Sequence, residues 1–243
     1  LTTEKHLLLY ACGEKTFSQK FWEVEFMEKL LCPSLMCADF TKLRSEVLSL
    51  DDAGIDLFHM DIMDGIYVPN LALGVEDFAA VRSLTKKPMD VHLMVKYPEK
   101  YIDLFKRLGA NLIYFHPETA NISTSLISKI KSSGMKAGIA ISPNISIPYV
   151  KELLISVDNI LIMTVNPGFS GEPFLNYTLP KIKELCSLKD KYQYNVFVDG
   201  AISPEKVESL SRIGVDGFIL GSSTLFGKEE SYSQIVKKLR SLG

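Results

Sequence analysis

Apolar and polar positions along the chain switch repeatedly between two periods. Short runs rich in β-branched and apolar residues, such as "LLCPSLM" at 30–36 and "DLFHMDI" at 56–62, read as strands. Between these two, "DFTKLRSEVLSLDDAG" at 39–54 reads as a helix, because Phe40, Leu43, Val47 and Leu50 form one apolar stripe at spacings of three and four. Ala53-Gly54 supplies its stop. The alternation continues through "DVHLMV" at 90–95, "NLIYFH" at 111–116, "KAGIAIS" at 136–142, "NILIMTV" at 159–165, "NVFVD" at 195–199 and "DGFILG" at 216–221. Helical stretches such as 98–108 and 204–213 separate these runs. Gly109, Gly134 and Gly214 stand where a left-handed residue closes a helix.

Eight strands, each followed by a helical segment, imply a parallel sheet. Eight such units in about 215 residues fit an α/β fold of the (β/α)₈ TIM-barrel type. The rival is a doubly wound open sheet. The barrel is preferred because polar residues recur at the C-terminal ends of well-separated strands, and a barrel gathers those ends into one mouth. With no linker or low-complexity tract, residues 29–243 read as one barrel domain. Residues 1–28 fall outside the pattern and read as an N-terminal extension of unknown role. There "FWEVEF" at 21–26 alternates Trp22, Val24 and Phe26 with Glu23 and Glu25, the pattern of a half-buried extra strand, and Met27 directly precedes the regular part.

Composition narrows the partners. Lys and Arg number 27 against 29 Asp and Glu, and there is no long basic run, so neither nucleic acid nor an anionic membrane is expected. No apolar run approaches the roughly 18–20 residues of a membrane span. "LLLYA" at 7–11 is too short for a secretory core and lacks a cationic flank. Cys12, Cys32, Cys37 and Cys186 show no CxxC spacing, which suits a reduced, cytoplasmic setting.

Period two puts His59 and Asp61 on one face of their strand, and Asp90, His92 and Met94 on one face of the next. Asp199 ends "NVFVD" where the following loop begins. In a barrel these side chains point inward near the mouth, where two imidazoles and two carboxylates suit a divalent ion such as zinc, manganese, iron or cobalt. The same residues also read, one by one, as polar groups satisfied inside the fold; four at one mouth favour the metal. "NPGFSG" at 166–171 and "LGSS" at 220–223, the latter followed by a short helical turn, place glycines at the sixth and eighth loops. Barrels use those loops to hold phosphate, although turns need glycine anyway.

The segments "PSLMCADF", "HMDIMDGIYVPN", "DVHLMV", "MTVNPGFSG" and "VDG" together resemble the ribulose-phosphate 3-epimerase family, from about Cys32 to the C-terminus. The resemblance implies a metal-dependent (β/α)₈ barrel that inverts carbon 3 of a ketose phosphate, as D-ribulose 5-phosphate to D-xylulose 5-phosphate. It implies one divalent metal held by His59, Asp61, His92 and Asp199, with Asp61 and Asp199 also the opposed acid and base. It further implies substrate contacts from Ser34, Met36, His92, Met94 and Met163. The phosphate would lie against Gly168, Phe169, Ser170, Gly171, Gly200, Ala201, Gly221 and Ser222. A homo-oligomer is expected. Departures from the family pattern are Ser170 and Ala201 where glycine is typical, Glu172 for glutamine, and Phe197 for an inward glutamate that Asp90 would partly replace. "SLMC" and "HPET" at 116–119 look more like the allulose-6-phosphate 3-epimerase branch, which is the alternative. His116 itself reads as a polar strand-end residue before a proline turn. A remoter alternative is a non-catalytic phosphosugar-binding barrel. A decarboxylase or indole-forming lyase would call for a catalytic lysine near a strand end, and none accompanies the carboxylates.

Overall fold

Each apolar run read as a strand forms one, and the strands pair side by side in chain order. A computed structural model describes residues 29–242; the extension 1–28, with its expected strand at 21–26 and Cys12, lies outside the described residues. The strands are β1 (Leu30–Pro33), β2 (Phe58–Asp64), β3 (Leu71–Ala72), β4 (Met89–Met94), β5 (Leu112–Phe115), β6 (Lys136–Ile141), β7 (Asn159–Met163), β8 (Asn195–Asp199) and β9 (Gly217–Leu220). Their order is β1-β9-β8-β7-β6-β5-β4-β2-β3, all parallel except the two-residue β3, which runs antiparallel to β2. The remaining gap, between β1 and β2, is bridged by the parallel pair Ser34–His59 and by the Asp56 N–H donating to the Leu31 carbonyl at 3.0 Å. Eight parallel strands thus close on themselves, with α1 (Leu43–Asp52), α2 (Val75–Leu84), α3 (Ile102–Leu108), α4 (Ser123–Ser132) and later helices packed outside.

Several boundaries differ from the pattern-based reading: β2 runs Phe58–Asp64 rather than 56–62, and the helix read at 39–54 opens with a 3-10 turn, Phe40–Lys42, before α1. β1 runs only to Pro33; the Ser34 N–H still donates to the Leu220 carbonyl at 3.0 Å, and Leu35–Cys37 then turns as a 3-10 helix. The helix expected at 98–108 is divided into a 3-10 turn, Pro98–Lys100, and α3. β7 ends at Met163, so Thr164 and Val165 belong to the loop. Gly109, Gly134 and Gly214 do take positive φ, at 89°, 85° and 94°.

The core has two shells, as the two faces of barrel strands require. Outward-facing residues such as Phe58, Met60, Val91 and Ile113 pack under the helices. Inside, Cys32, Leu57, Leu112, Tyr114, Ala140, Leu161, Phe197 and Ile219 fill the barrel. Its two largest residues, Tyr114 and Phe197, meet edge to face with ring centroids 6.1 Å apart, and the Asn159 amide donates to the Tyr114 hydroxyl at 3.1 Å. Room for both rings comes from register: Gly138 lies beside Tyr114 and Gly217 beside Phe197. A Cβ on Gly217 would stand 2.1 Å from the Phe197 ring. Gly217→Ala is therefore expected to cost about 1–3 kcal/mol of stability by overpacking. Urea unfolding measures it, and adding Phe197→Leu should recover part of the loss; an unchanged midpoint in the single variant would contradict this account of the plug.

Candidate active site

Above the plug, the inward positions turn polar. β2 alternates Phe58, Met60 and Ile62 outward with His59 and Asp61 inward, and register sets His92 of β4 beside Asp61. Asp199 enters from the end of β8, across the mouth from β2 in the sheet order. One ligand-type atom from each of His59, Asp61, His92 and Asp199 lies within 4.8 Å of all the others. Asp61 Oδ1 is 3.2 Å from His59 Nε2 and 3.1 Å from His92 Nδ1. Asp199 Oδ2 is 4.0 and 3.8 Å from the same nitrogens. Donors bound tetrahedrally to one zinc at about 2.0–2.1 Å would sit about 3.3 Å apart. The observed separations bracket that value, so this mixed N/O set can hold a divalent ion.

The electrostatics separate the two carboxylates. Burial opposes ionisation of Asp61, but His59 and His92 outweigh it and hold its carboxyl far below the usual carboxylate range. Asp199 is pushed up to about 7, first by burial and then by the charge of Asp61. Burial alone would keep His59 neutral; Asp90 and Asp61 reverse that and raise it well above its ordinary value. Asp90, buried on β4, lies 2.7 Å from His59 Nδ1 but off the ring's N–H direction, and neither carboxylate oxygen has another hydrogen-bond partner. It is thus the residue behind His59, while Phe197 belongs to the apolar plug.

Asp61 and Asp199 open into a cavity at the mouth that Ser34, Met36, Met94, Met163, Gly168, Phe169, Ser170, Gly171, Gly200, Ala201, Gly221 and Ser222 all line. His59 and His92 lie fully buried beneath it. Every residue singled out from the sequence therefore falls in or directly below one cavity. The Ser34 hydroxyl donates to Asp61 Oδ2 at 2.6 Å. Asn166, Pro167 and Ser223, from the two glycine-bearing loop segments, also line the cavity, as do Cys37, Met63, Val165 and Ile219, for which no site role was expected. Period two from Asp61 would have found Met63, and period two along β9 would have found Ile219. No Lys or Arg is among the lining residues, so an anion there would meet backbone N–H groups at glycine-rich turns. Gly200, at φ 114°, has no room for a side chain, since a Cβ would approach Val165 to 2.5 Å; Ala201 beside it takes φ 52°. Glu172 is exposed and stays off the lining, so its charge is turned to solvent.

A second polar group adjoins the first. His116, fully buried, lies with Nε2 2.9 Å from His92 Nε2 and Nδ1 3.0 Å from the Ser142 hydroxyl. Ser142 and Tyr67 both donate to Glu118 Oε1, at 2.9 and 2.7 Å. Tyr67 belongs to the loop after β2, which Asp64 secures by accepting the N–H groups of Ile66, Tyr67 and Lys96. Asn70 ties that loop to the sixth by donating to the Gly168 carbonyl at 2.8 Å.

Burial pushes His116 down to about 4, against the opposing pull of Glu118. Between pH 6.5 and 4 an unfolded histidine binds a proton that the folded one excludes, so stability rises with pH across that window. Acidification of the metal-free protein from pH 6.5 to 4 should therefore remove about 3 kcal/mol through this residue. Chemical unfolding across that range should give a shallower pH slope in His116→Gln, and equal slopes would show that His116 is not held neutral.

Comparison with known proteins agrees with the geometry. Residues 30–226 match the model of the ribulose-phosphate 3 epimerase family. Ribulose-phosphate 3-epimerase 1 of Cupriavidus necator is 36% identical over 219 residues, covering 86% of this chain and 90% of that protein. The ribulose-phosphate 3-epimerase of Bacillus subtilis is 35% identical, covering 82% of this chain and 93% of its own length. In fold alone, the chain is similar to a tryptophan synthase α-subunit mutant from Pyrococcus furiosus, with TM-score 0.63, 14% identity and coverage of 89% of this chain and 97% of the other. It is likewise similar to phosphoribosyl anthranilate isomerase from Thermococcus kodakaraensis, with TM-score 0.62, 14% identity and coverage of 88% and 98%. A match spanning the whole βα series, on a barrel with two His–Asp strands meeting a third carboxylate, leads to one conclusion: this chain belongs to the ribulose-phosphate 3-epimerase family.

Proposed function

We propose that the chain is a metal-dependent ketose-phosphate 3-epimerase that interconverts D-ribulose 5-phosphate and D-xylulose 5-phosphate. The observation that carries this reading is the pair of carboxylates, Asp61 and Asp199, brought from β2 and β8 to one cavity beside the imidazoles of His59 and His92. Carbon 3 of the substrate lies beside the carbon 2 ketone, so loss of its proton leaves a planar enediolate. Inversion then requires a proton to leave one face and arrive on the other. One of Asp61 and Asp199 accepts the proton that leaves, and the other donates one on the opposite face. In the reverse direction the roles exchange. A divalent ion held by His59, Asp61, His92 and Asp199 would supply Lewis-acid stabilisation of the developing negative charge. Zinc, iron, manganese and cobalt all suit this donor set.

The remaining residues shape the pocket. Ser34 orients Asp61 through its hydroxyl. Met36, Met94 and Met163 present polarisable, uncharged surface to the flat intermediate and limit water. The turns at Gly168–Gly171, Gly200–Ala201 and Gly221–Ser222 face the same cavity and offer the phosphate its donors. The closeness of the named relatives to ribulose-phosphate enzymes favours the pentulose substrate. This reading also takes the enzyme to be cytoplasmic and homo-oligomeric, the latter measurable by sedimentation. Among the described residues, no helix is long and apolar enough to cross a membrane.

Purified protein should epimerise ribulose 5-phosphate, lose activity to a chelator and regain it with a divalent ion. Allulose 6-phosphate, longer by one hydroxymethine, should turn over more slowly in a parallel assay. Asp199→Asn should keep the fold by circular dichroism and lose at least about 10²–10⁴-fold in kcat, the range typical of a deleted acid–base group. Failure to turn over either sugar phosphate after metal reconstitution would refute the proposal, and wild-type kcat in Asp199→Asn would remove that residue from the mechanism.

A further inference from the structure

We propose that His116, Glu118 and Tyr67 form a positioning relay that fixes the tautomer and orientation of His92 and joins it to the loop after β2. The proposal rests on reading His59, Asp61, His92 and Asp199 as metal ligands. His92 turns Nδ1 toward Asp61 and Asp199, so Nδ1 is the nitrogen that must be free of a proton to bind an ion. Its proton then resides on Nε2, whose partner at 2.9 Å is His116 Nε2. Two protonated nitrogens cannot face each other there, so His116 Nε2 accepts and its own proton is confined to Nδ1. That N–H donates to the Ser142 oxygen at 3.0 Å, and the Ser142 hydroxyl passes the direction on to Glu118 Oε1 at 2.9 Å.

Every donor in the series points the same way, toward a carboxylate that can only accept when ionised. Glu118 is the element that sets this polarity; an amide in its place could present N–H and permit the opposite one. A ligating imidazole ordinarily donates its second N–H to a carboxylate, carbonyl or water, and that partner contributes to metal affinity. Here the function is spread over an intervening histidine and serine. His59 has a carboxylate directly beside its own Nδ1, Asp90 at 2.7 Å, but off the ring's N–H direction. The two ligands differ in a further respect: the His92 relay ends at the surface loop, because the Tyr67 hydroxyl donates to the same Glu118 oxygen at 2.7 Å and contacts Ser142 at 3.0 Å. Tyr67 also lies against the His116 ring, with centroids 4.9 Å apart. Placement of the loop and orientation of His92 are therefore mechanically linked.

Cobalt(II) alone provides the test, titrated into chelator-treated full-length protein and followed by calorimetry and by its visible absorption. Glu118→Gln and His116→Ala should weaken cobalt binding about 10–100-fold and alter the absorption band. His116→Gln, whose amide oxygen can accept from His92 Nε2, should recover part of the loss, and Tyr67→Phe should cause a smaller one. Thermal unfolding without metal is recorded alongside, because loss of packing alone would lower stability without moving the spectrum. Should His116→Ala fail to fold, Glu118→Gln and Tyr67→Phe, both altered at the partly buried end, decide the matter. Cobalt affinity and spectrum unchanged in Glu118→Gln, with wild type binding normally, would overturn the relay alone. A wild-type protein that binds no cobalt would overturn the metal reading with it.

Discussion

Several ionisable side chains crowded out of water at one end of a barrel cannot be satisfied one at a time. An unpaired buried charge costs several kcal/mol, and Asp61, Asp90 and Asp199 lie close enough to raise one another's cost. Burial holds His92 toward its neutral form while His59 is raised, so the positive charge is too little for three carboxylates: Asp61 is ionised between both rings and the other two are disposed toward their protonated forms. Much of the molecule follows from accommodating this cluster. Strand register sets the residues side by side, the aromatic plug lies beneath them, and the loop after β7, tied by Asn70 to the loop after β2, lines the cavity they open into.

The division of labour between strands and loops is equally physical. Strands hold the titratable groups because regular pairing fixes a side chain more tightly than a loop does. Loops hold the glycines, where positive φ lets the backbone approach an anion. Ala201 at φ 52° is an exception, a non-glycine residue in a left-handed conformation where the surrounding turn dictates the geometry.

Most of the barrel and the four-residue cluster was legible in the sequence, for the same reason. Period two along "FHMDI" and "DVHLM" fixes which side chains share a face, and strict βα alternation fixes how those faces assemble. The residues around the cluster were less legible. β1 ends earlier than its apolar run suggests, because hydropathy does not register the 3-10 turn at Leu35–Cys37. His116 read correctly as a polar strand-end residue, yet its partners come from β4, the turn after β5, the end of β6 and the loop after β2. No periodicity within one segment could join them. Glu172, beside the glycine-rich turn in sequence, is exposed and off the cavity lining, since a charge near a site in sequence can face away from it in space.

The plug of Tyr114 and Phe197 has one more effect. By filling the barrel from wall to wall it leaves the mouth a single wet side, and the two carboxylates meet that side unequally. Asp199 retains 16% of its side-chain exposure against 6% for Asp61. Asp199 thus meets water over more of its surface than Asp61, whose Oδ2 is also taken up by the Ser34 hydroxyl. On the proposed two-carboxylate mechanism, label from heavy water is then expected to reach the sugar more readily through the face that Asp199 serves than through the face that Asp61 serves.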